Sequence, residues 1–149
     1  MNAVVLYHTA YGNTRTVAES IASALGLGAS AVPVDGFDPA TLCPGDLLVV
    51  GSPINGWKPT ARIAESLANL ARRGLNGVHA AAFDTRVKLF IHGDAAKKMT
   101  KSLAEAGATI VSGPMAFYVK GSEGPLLEGE VERAAAWAAD LAASLQGHA

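Results

Sequence analysis

Short, unbroken apolar runs alternate along this chain with stretches of helical periodicity, and few folds accept that alternation. Ala3-Val4-Val5-Leu6-Tyr7 is the first run, and residues 14–25 follow with Val17, Ile21, Ala24 and Leu25 at helical spacing. Ala31-Val32-Pro33-Val34 is a second, shorter run, and its proline suits a sheet edge. Asp38-Pro39 has the form of a cap and first residue of one short helical turn. Leu47 to Gly51 is the third and most hydrophobic run, and Ile63, Leu67, Leu70 and Ala71 then mark a second long helix. His79 to Phe83, rich in alanine, is the fourth run. A third helix is predicted over residues 94–106, with Gly107 just past its end. Ala108 to Val111 and Met115 to Val119 are strand-like and are separated by Ser112-Gly113-Pro114. A last helix, about 128 to 145, presents Val131, Ala134, Ala138, Leu141 and Leu145. Strands apolar on both faces need cover on both faces, so the pattern predicts an α/β fold with a parallel sheet between two helix layers.

Length and charge narrow the reading further. The 149 residues fit one domain spanning 1–149, with a core of useful size. A formal net charge of −1 leaves no whole-molecule field to draw the chain to nucleic acid or a membrane. The longest basic stretches, Arg72-Arg73 and Lys97-Lys98, are too short for a nucleic-acid arm. One cysteine, Cys43, excludes an internal disulfide framework and suits a reducing cytoplasm; it is expected to be a small, half-buried residue. The apolar start reads as the first strand rather than a signal, and no stretch of about 20 apolar residues follows.

Five strands in one domain point to the doubly wound order 2-1-3-4-5, with the Pro33 strand at an edge. Ligands of such sheets bind beyond the carboxyl ends of the strands, here the loops 8–14, 52–59 and 84–93. The first of these passes from strand to helix through Thr9-Ala10-Tyr11-Gly12-Asn13-Thr14. A helix start offers unpaired N–H groups and the positive end of its dipole. Thr9 and Thr14 add hydroxyls, and Gly12 permits a tight turn. The implied target is an anion, a phosphate above all, and the plainer alternative is an ordinary loop with a capping Thr or Asn. The loop lacks the Gly-Lys-Ser/Thr ending of a nucleotide-hydrolysing P-loop, which argues against a nucleoside triphosphatase.

Thr9-Ala10-Tyr11-Gly12-Asn13-Thr14 resembles the phosphate-binding loop of the flavodoxin family, which wraps the phosphate of flavin mononucleotide (FMN). Val49 to Trp57 is similar to that family's second flavin loop, and Ala82 to Arg86 through His92-Gly93-Asp94 to its third. The stretch FYVKGSEGPLLEGEVERAAAWA also resembles a subgroup of small flavodoxin-domain proteins. The resemblance covers nearly the whole chain. It implies a flavodoxin-like fold, non-covalent FMN, no catalytic side chain, and electron transfer with redox partner proteins, a reductase or an acceptor. Carried onto this sequence, the flavin-binding residues are Thr9 to Thr14, Ser52, Pro53, Ile54, Asn55, Gly56, Trp57, Asp84, Thr85, Arg86 and Phe90. The resemblance makes Phe90 a stacking aromatic and Trp57 the cover of the other ring face; each has a plainer alternative as packing. Gly56 would let the second-loop peptide adopt two backbone states, or is a simple turn glycine. Asp84 and Arg86 would serve the polar edge of the ring, or pair with each other in a solvated salt bridge. Members of the family are typically acidic around the flavin, whereas this chain places Lys58, Arg62, Arg86 and Lys88 in or beside the loops. Its third loop also lacks the family's Gly-Cys-Gly and tyrosine pattern.

Other motifs fail on context. Gly26-Leu27-Gly28-Ala29-Ser30-Ala31 spells a dinucleotide fingerprint but follows a helix and precedes a strand. A phosphatase loop built on Cys43 would need an arginine at position 49, which is Val. His8, His79, His92 and His148 lack metal-ligand spacing, so no metal is expected, and His8 is expected to be a solvated loop residue. Lys120-Gly121-Ser122-Glu123-Gly124-Pro125 reads as a turn-rich loop before the last helix, or a partner contact. Two other functions fit the same residues: an FMN-dependent NAD(P)H:quinone-type reductase, and an interaction domain of this fold without flavin. A monomer or weak homodimer is expected.

Overall fold

A computed structural model of the chain describes residues 2–26, 28–54, 58–88, 94–121 and 123–146. Its strands are β1 (Ala3–Tyr7), β2 (Ala29–Pro33), β3 (Leu47–Pro53), β4 (His79–Val87), β5 (Thr109–Ile110) and β6 (Met115–Val119). Its α-helices are α1 (Asn13–Leu25), α2 (Ala61–Arg73), α3 (Ala95–Glu105) and α4 (Glu130–Gln146). All named strand pairs are parallel, in the order β2-β1-β3-β4-β5, with β6 also paired to β4. The predicted order therefore holds, and the Pro33 strand is an edge. The fifth position is shared: β5 pairs with His79 and Ala80, and β6 takes over along Phe83 to Val87. The chain leaves the sheet between them, through residues 111–114, where the Ser112-Gly113-Pro114 break was expected.

The period of two divides each central strand between two cores. Val5, Tyr7, Val49, Ala81 and Phe83 face the layer of α1 and α4, where they meet Val17, Ile21, Ala138 and Leu141. Leu6, Leu48, Val50, Ala80 and Ala82 face the layer of α2 and α3, meeting Ile63, Leu70, Met99 and Leu103. Full burial of each leucine, isoleucine or phenylalanine here contributes about 1.5–3 kcal/mol. Three rings add directional contacts in the first core. Phe83, Phe117 and Trp137 meet edge to face, with centroids 5.8 to 6.1 Å apart. Phe83 has room because its neighbour on β3 is Gly51: a Cβ there would stand 2.0 Å from the ring's Cζ atom.

Local signals also hold. Asp38 accepts a hydrogen bond from the Ala40 N–H and opens a single 3-10 turn over Pro39–Thr41. Gly107, at φ +103°, follows α3 in the left-handed conformation that most side chains avoid.

Several expectations are corrected. β2 lies two residues earlier than its apolar run at the start, because pairing with β1 sets its register. Strands β3 and β4 continue to Pro53 and Val87, past the apolar residues, because Ser52, Asp84, Thr85 and Arg86 keep extended backbones paired with neighbouring strands. Ala24, Ala71 and Val131 are exposed, and Ala18, Ala22 and Trp137 occupy the buried faces instead. Cys43 is exposed rather than half-buried, since it lies in the turn before β3 rather than under a helix.

The Gly51–Phe83 contact generates a prediction. Gly51→Ala should destabilise the fold by about 1–3 kcal/mol through overpacking, measured by urea unfolding. Adding Phe83→Leu should recover part of that loss; equal destabilisation of Gly51→Ala with and without the ring would contradict the packing account.

Candidate functional site

At the carboxyl end of the sheet, three of the loops named from sequence meet around one cleft. Thr9, Ala10, Tyr11, Asn13 and Thr14 line it from the turn between β1 and α1. Pro53 and Ile54 enter from the end of β3, and Thr85, Arg86 and Val87 from the end of β4. Val119, at the end of β6, completes the described lining. The cleft lies where the path of the chain reverses, between β1 and β3, with α1 going to one layer and α2 to the other.

The first turn is shaped by its own hydrogen bonds. Gly12 sits at φ +93°, and its N–H donates to Thr9 Oγ1 at 2.8 Å. That turn ends in α1, whose first N–H groups receive no side-chain cap. They remain to meet an anion at the positive end of the helix. Thr14 and Thr85 share a hydrogen bond between their hydroxyls at 2.8 Å, in a fully buried contact that ties α1 to β4. Asn13 Nδ2 donates to the Glu123 carbonyl at 3.2 Å, so the turn also holds the loop before α4. Tyr11 stands 60 % exposed at the mouth, more so than any other large hydrophobic side chain among the described residues.

A second set of bonds closes the loop after β3. Ser52 is buried; its Oγ accepts the Thr60 N–H at 3.0 Å and donates to the Pro53 carbonyl at 2.8 Å. Ser52 therefore braces the loop from behind and does not line the cleft. His8 Nδ1 is hydrogen-bonded to Thr60 Oγ1 at 2.9 Å, and the His8 N–H donates to the Gly51 carbonyl. It is half-buried and joins the first loop to the second, which corrects the expectation of a solvated histidine.

The charges at the end of β4 form the third set. Arg86 Nε donates to Asp84 Oδ1 at 2.7 Å, and Nη2 to Asp84 Oδ2 at 2.5 Å and Asp94 Oδ1 at 3.1 Å. Asp84 is inaccessible and the Arg86 side chain is 9 % exposed, so the predicted pairing is present but buried rather than solvated. Asp84 Oδ2 also accepts the Ala96 N–H at 2.9 Å, and Asp94 caps α3 through the Lys97 N–H at 2.8 Å. Burial pushes the Asp84 carboxyl above the usual aspartate pKa, against the opposing pull of Arg86 and of the Ala96 amide. This pair fastens both ends of the segment between β4 and α3. Of the two, only Arg86 faces the cleft.

Nine residues named from sequence thus share one cleft; Gly12 shapes its turn, and Ser52 and Asp84 stand behind it. Asn55, Gly56, Trp57 and Phe90 lie outside the described residues. Val87 and Val119 were missed. Both end strands at the ligand side of a parallel sheet, and strand-end position alone could have pointed to them. Among the described residues, no group of three or more His, Cys, Asp or Glu side chains is placed to hold a metal ion.

The family profile described as Flavodoxin matches residues 5–137. A comparison with curated proteins found no match. Among solved structures, a flavodoxin from the domain Archaea is similar with a TM-score of 0.81 and 18 % identity, covering 98 % of this chain and 99 % of that one. Oxidised Flavodoxin 1 from Bacillus cereus gives 0.80 and 18 %, covering 95 % and 97 %. The flavodoxin of Streptococcus pneumonia TIGR4 gives 0.79 and 20 %, covering 96 % and 99 %. At these identities the structures establish the fold.

The ion pair yields a prediction. Asp84→Ala leaves Arg86 buried without its main partner and should cost about 3–5 kcal/mol in chemical unfolding. Asp94→Ala, at a partly exposed cap, should cost only about 1 kcal/mol. Equal costs would mean that Asp84 is not the anchor.

Proposed function

This chain belongs to the flavodoxin family, and from that premise we propose that it holds FMN non-covalently in the cleft at the carboxyl end of the sheet and carries electrons between redox proteins. One observation carries the assignment of the site: three strand-end loops converge beside an uncapped helix start, at the reversal point between β1 and β3. The residues present fit the group. The turn Thr9 to Thr14 suits a phosphate, with backbone N–H groups rather than a lysine as donors. Gly12 keeps the left-handed geometry that aims them, and the Thr14–Thr85 bond fixes the turn against the sheet.

Pro53, Ile54, Val87 and Val119 give the remainder of the cleft an apolar lining suited to a flat aromatic ring system. Trp57 and Phe90 are the proposed aromatic covers of that ring, and Asn55 and Gly56 its proposed backbone contacts. Arg86, held by Asp84 and Asp94, presents a guanidinium of fixed position at the cleft, its charge matched by the two carboxylates. Bound FMN supplies one- and two-electron chemistry, and no side chain of the chain is required as nucleophile or general base. The protein binds, orients and shields the group. A redox partner would approach the same end, because the strand-end loops are where the flavin is reached. No helix among the described residues is long and apolar enough to cross a membrane; a reducing cytoplasm is the proposed setting, with the chain as monomer or weak dimer. The family match does not favour the quinone-reductase or flavin-free alternatives.

Titration of the purified protein with FMN should give shifted flavin absorbance bands and quenched fluorescence. Riboflavin, lacking the phosphate, should bind at least about tenfold more weakly, a difference of about 1.4 kcal/mol. Equal affinity would detach the first loop from phosphate binding, and no binding of either would overturn the flavin reading. Gly12→Ala adds a Cβ that meets nothing within 4 Å but opposes the φ of +93°. It should weaken FMN by about tenfold through the ~1–2 kcal/mol cost of a left-handed alanine, leaving riboflavin less affected.

A further inference from the structure

All six lysines of the chain, Lys58, Lys88, Lys97, Lys98, Lys101 and Lys120, belong to segments at the carboxyl end of the sheet. Lys58 precedes α2, Lys88 follows β4 directly, Lys97, Lys98 and Lys101 occupy the first two turns of α3, and Lys120 follows β6. The arginines nearby are matched by carboxylates: Arg15 by Glu19, Arg62 by Asp35, Arg86 by Asp84 and Asp94, and Arg133 by Glu130. Five of the lysines are arranged otherwise. Lys58, Lys97, Lys101 and Lys120 are exposed and enter no ion pair among the described residues. Lys88 lies over the Tyr118 ring, 5.5 Å from its centroid, which leaves its charge uncancelled.

Asp94, partly exposed at the start of α3, is held by Arg86, and most other acidic side chains at this end lie elsewhere. Glu123, Glu128 and Glu132 are exposed around the start of α4, on the opposite layer, and Glu65 is the exposed carboxylate of α2. The half of the rim formed by α2, α3 and the end of β4 is therefore cationic. It adjoins the cleft directly, because Arg86 and Val87 line the cleft and Lys88 is the next residue. Between α2 and α3 the same half opens onto a groove with Leu67, Ala68 and Ala71 on one side and Lys98, Ser102 and, at its far end on α3, the exposed Glu105 on the other. A cationic border around a small apolar floor is the layout of a protein-docking face.

We propose that this face docks a redox partner protein through an acidic patch on the partner, seated over α3 and Lys58 beside the cleft. The identity of the partner as a redox protein rests on the flavin reading; the acidic character of its docking patch rests on the lysines alone.

The test measures anisotropy of a labelled oligoglutamate peptide added to the full chain at low salt, with and without FMN. Binding that weakens steadily with added salt is expected. The variant Lys58→Glu/Lys97→Glu/Lys101→Glu should bind the peptide at least about tenfold more weakly. Arg72→Glu/Arg73→Glu, at the far end of α2, should bind as the parent does, and melting temperatures check that both variants are folded. Absence of peptide binding, or equal loss in both variants, would overturn the proposal. So would tighter binding of a single-stranded oligonucleotide of matched charge, which would assign the face to nucleic acid. Peptide binding by a chain that takes up no FMN would uphold the acidic-patch docking and defeat the flavin reading separately.

Discussion

A parallel strand cannot turn back onto its neighbour. It must leave the sheet, cross over along one of its faces and re-enter at the opposite end; α1, α2 and α3 make three of these crossovers here, and two single 3-10 turns make the one from β2 to β3. Every crossover in this molecule therefore departs from the same edge. The residues that follow β1, β3, β4 and β6 are brought together there although they are separated by dozens of positions in the chain. Where α1 and α2 go to opposite layers the loops part and leave a cleft. The site follows from the route of the backbone, and its side chains then refine what the route provides.

That refinement consists of three braces, each linking one loop to something rigid. The Thr14–Thr85 hydroxyl pair fastens the first turn to β4. Ser52 and His8 fasten the second loop to the start of α2 through Thr60. Asp84 and Arg86 fasten the third to α3. Each brace is polar and largely buried, so each is sensitive to the loss of one member in a way that a surface contact is not. A cleft held in this way needs little further ordering to accept a ligand.

The layout of the sheet was legible because continuous apolar runs and helical spacing are both local signals, and right-handed crossovers leave few ways to connect them. The edge position of β2 was legible from Pro33 alone. The phosphate-type turn was legible because a glycine, an asparagine and two threonines coincide where a strand becomes a helix. What escaped is long-range. The apolar run stops at Phe83, yet β4 continues for four residues, because Asp84 and Thr85 find backbone partners in both β3 and β6, and Arg86 and Val87 in β6. Whether Asp84 and Arg86 meet in water or in the interior depended on α3 closing over them. Trp137 could not be assigned to the core until Phe83 and Phe117 were known to stand beside it. Val131 fits the helical stripe but lies in the first turn of α4, ahead of the turns that pack on the sheet.

The segregation of lysines has a consequence for how this molecule behaves at a distance. With a formal charge of −1, it has almost no monopole, so it neither attracts nor repels a charged body strongly from afar. Its uneven rim gives it a dipole instead, and the field of a dipole exerts torque more than pull. An approaching charged protein is rotated into alignment during the final nanometre of diffusion, within the reach that salt permits. Such a molecule does not gather partners from solution; it turns the ones that chance brings near.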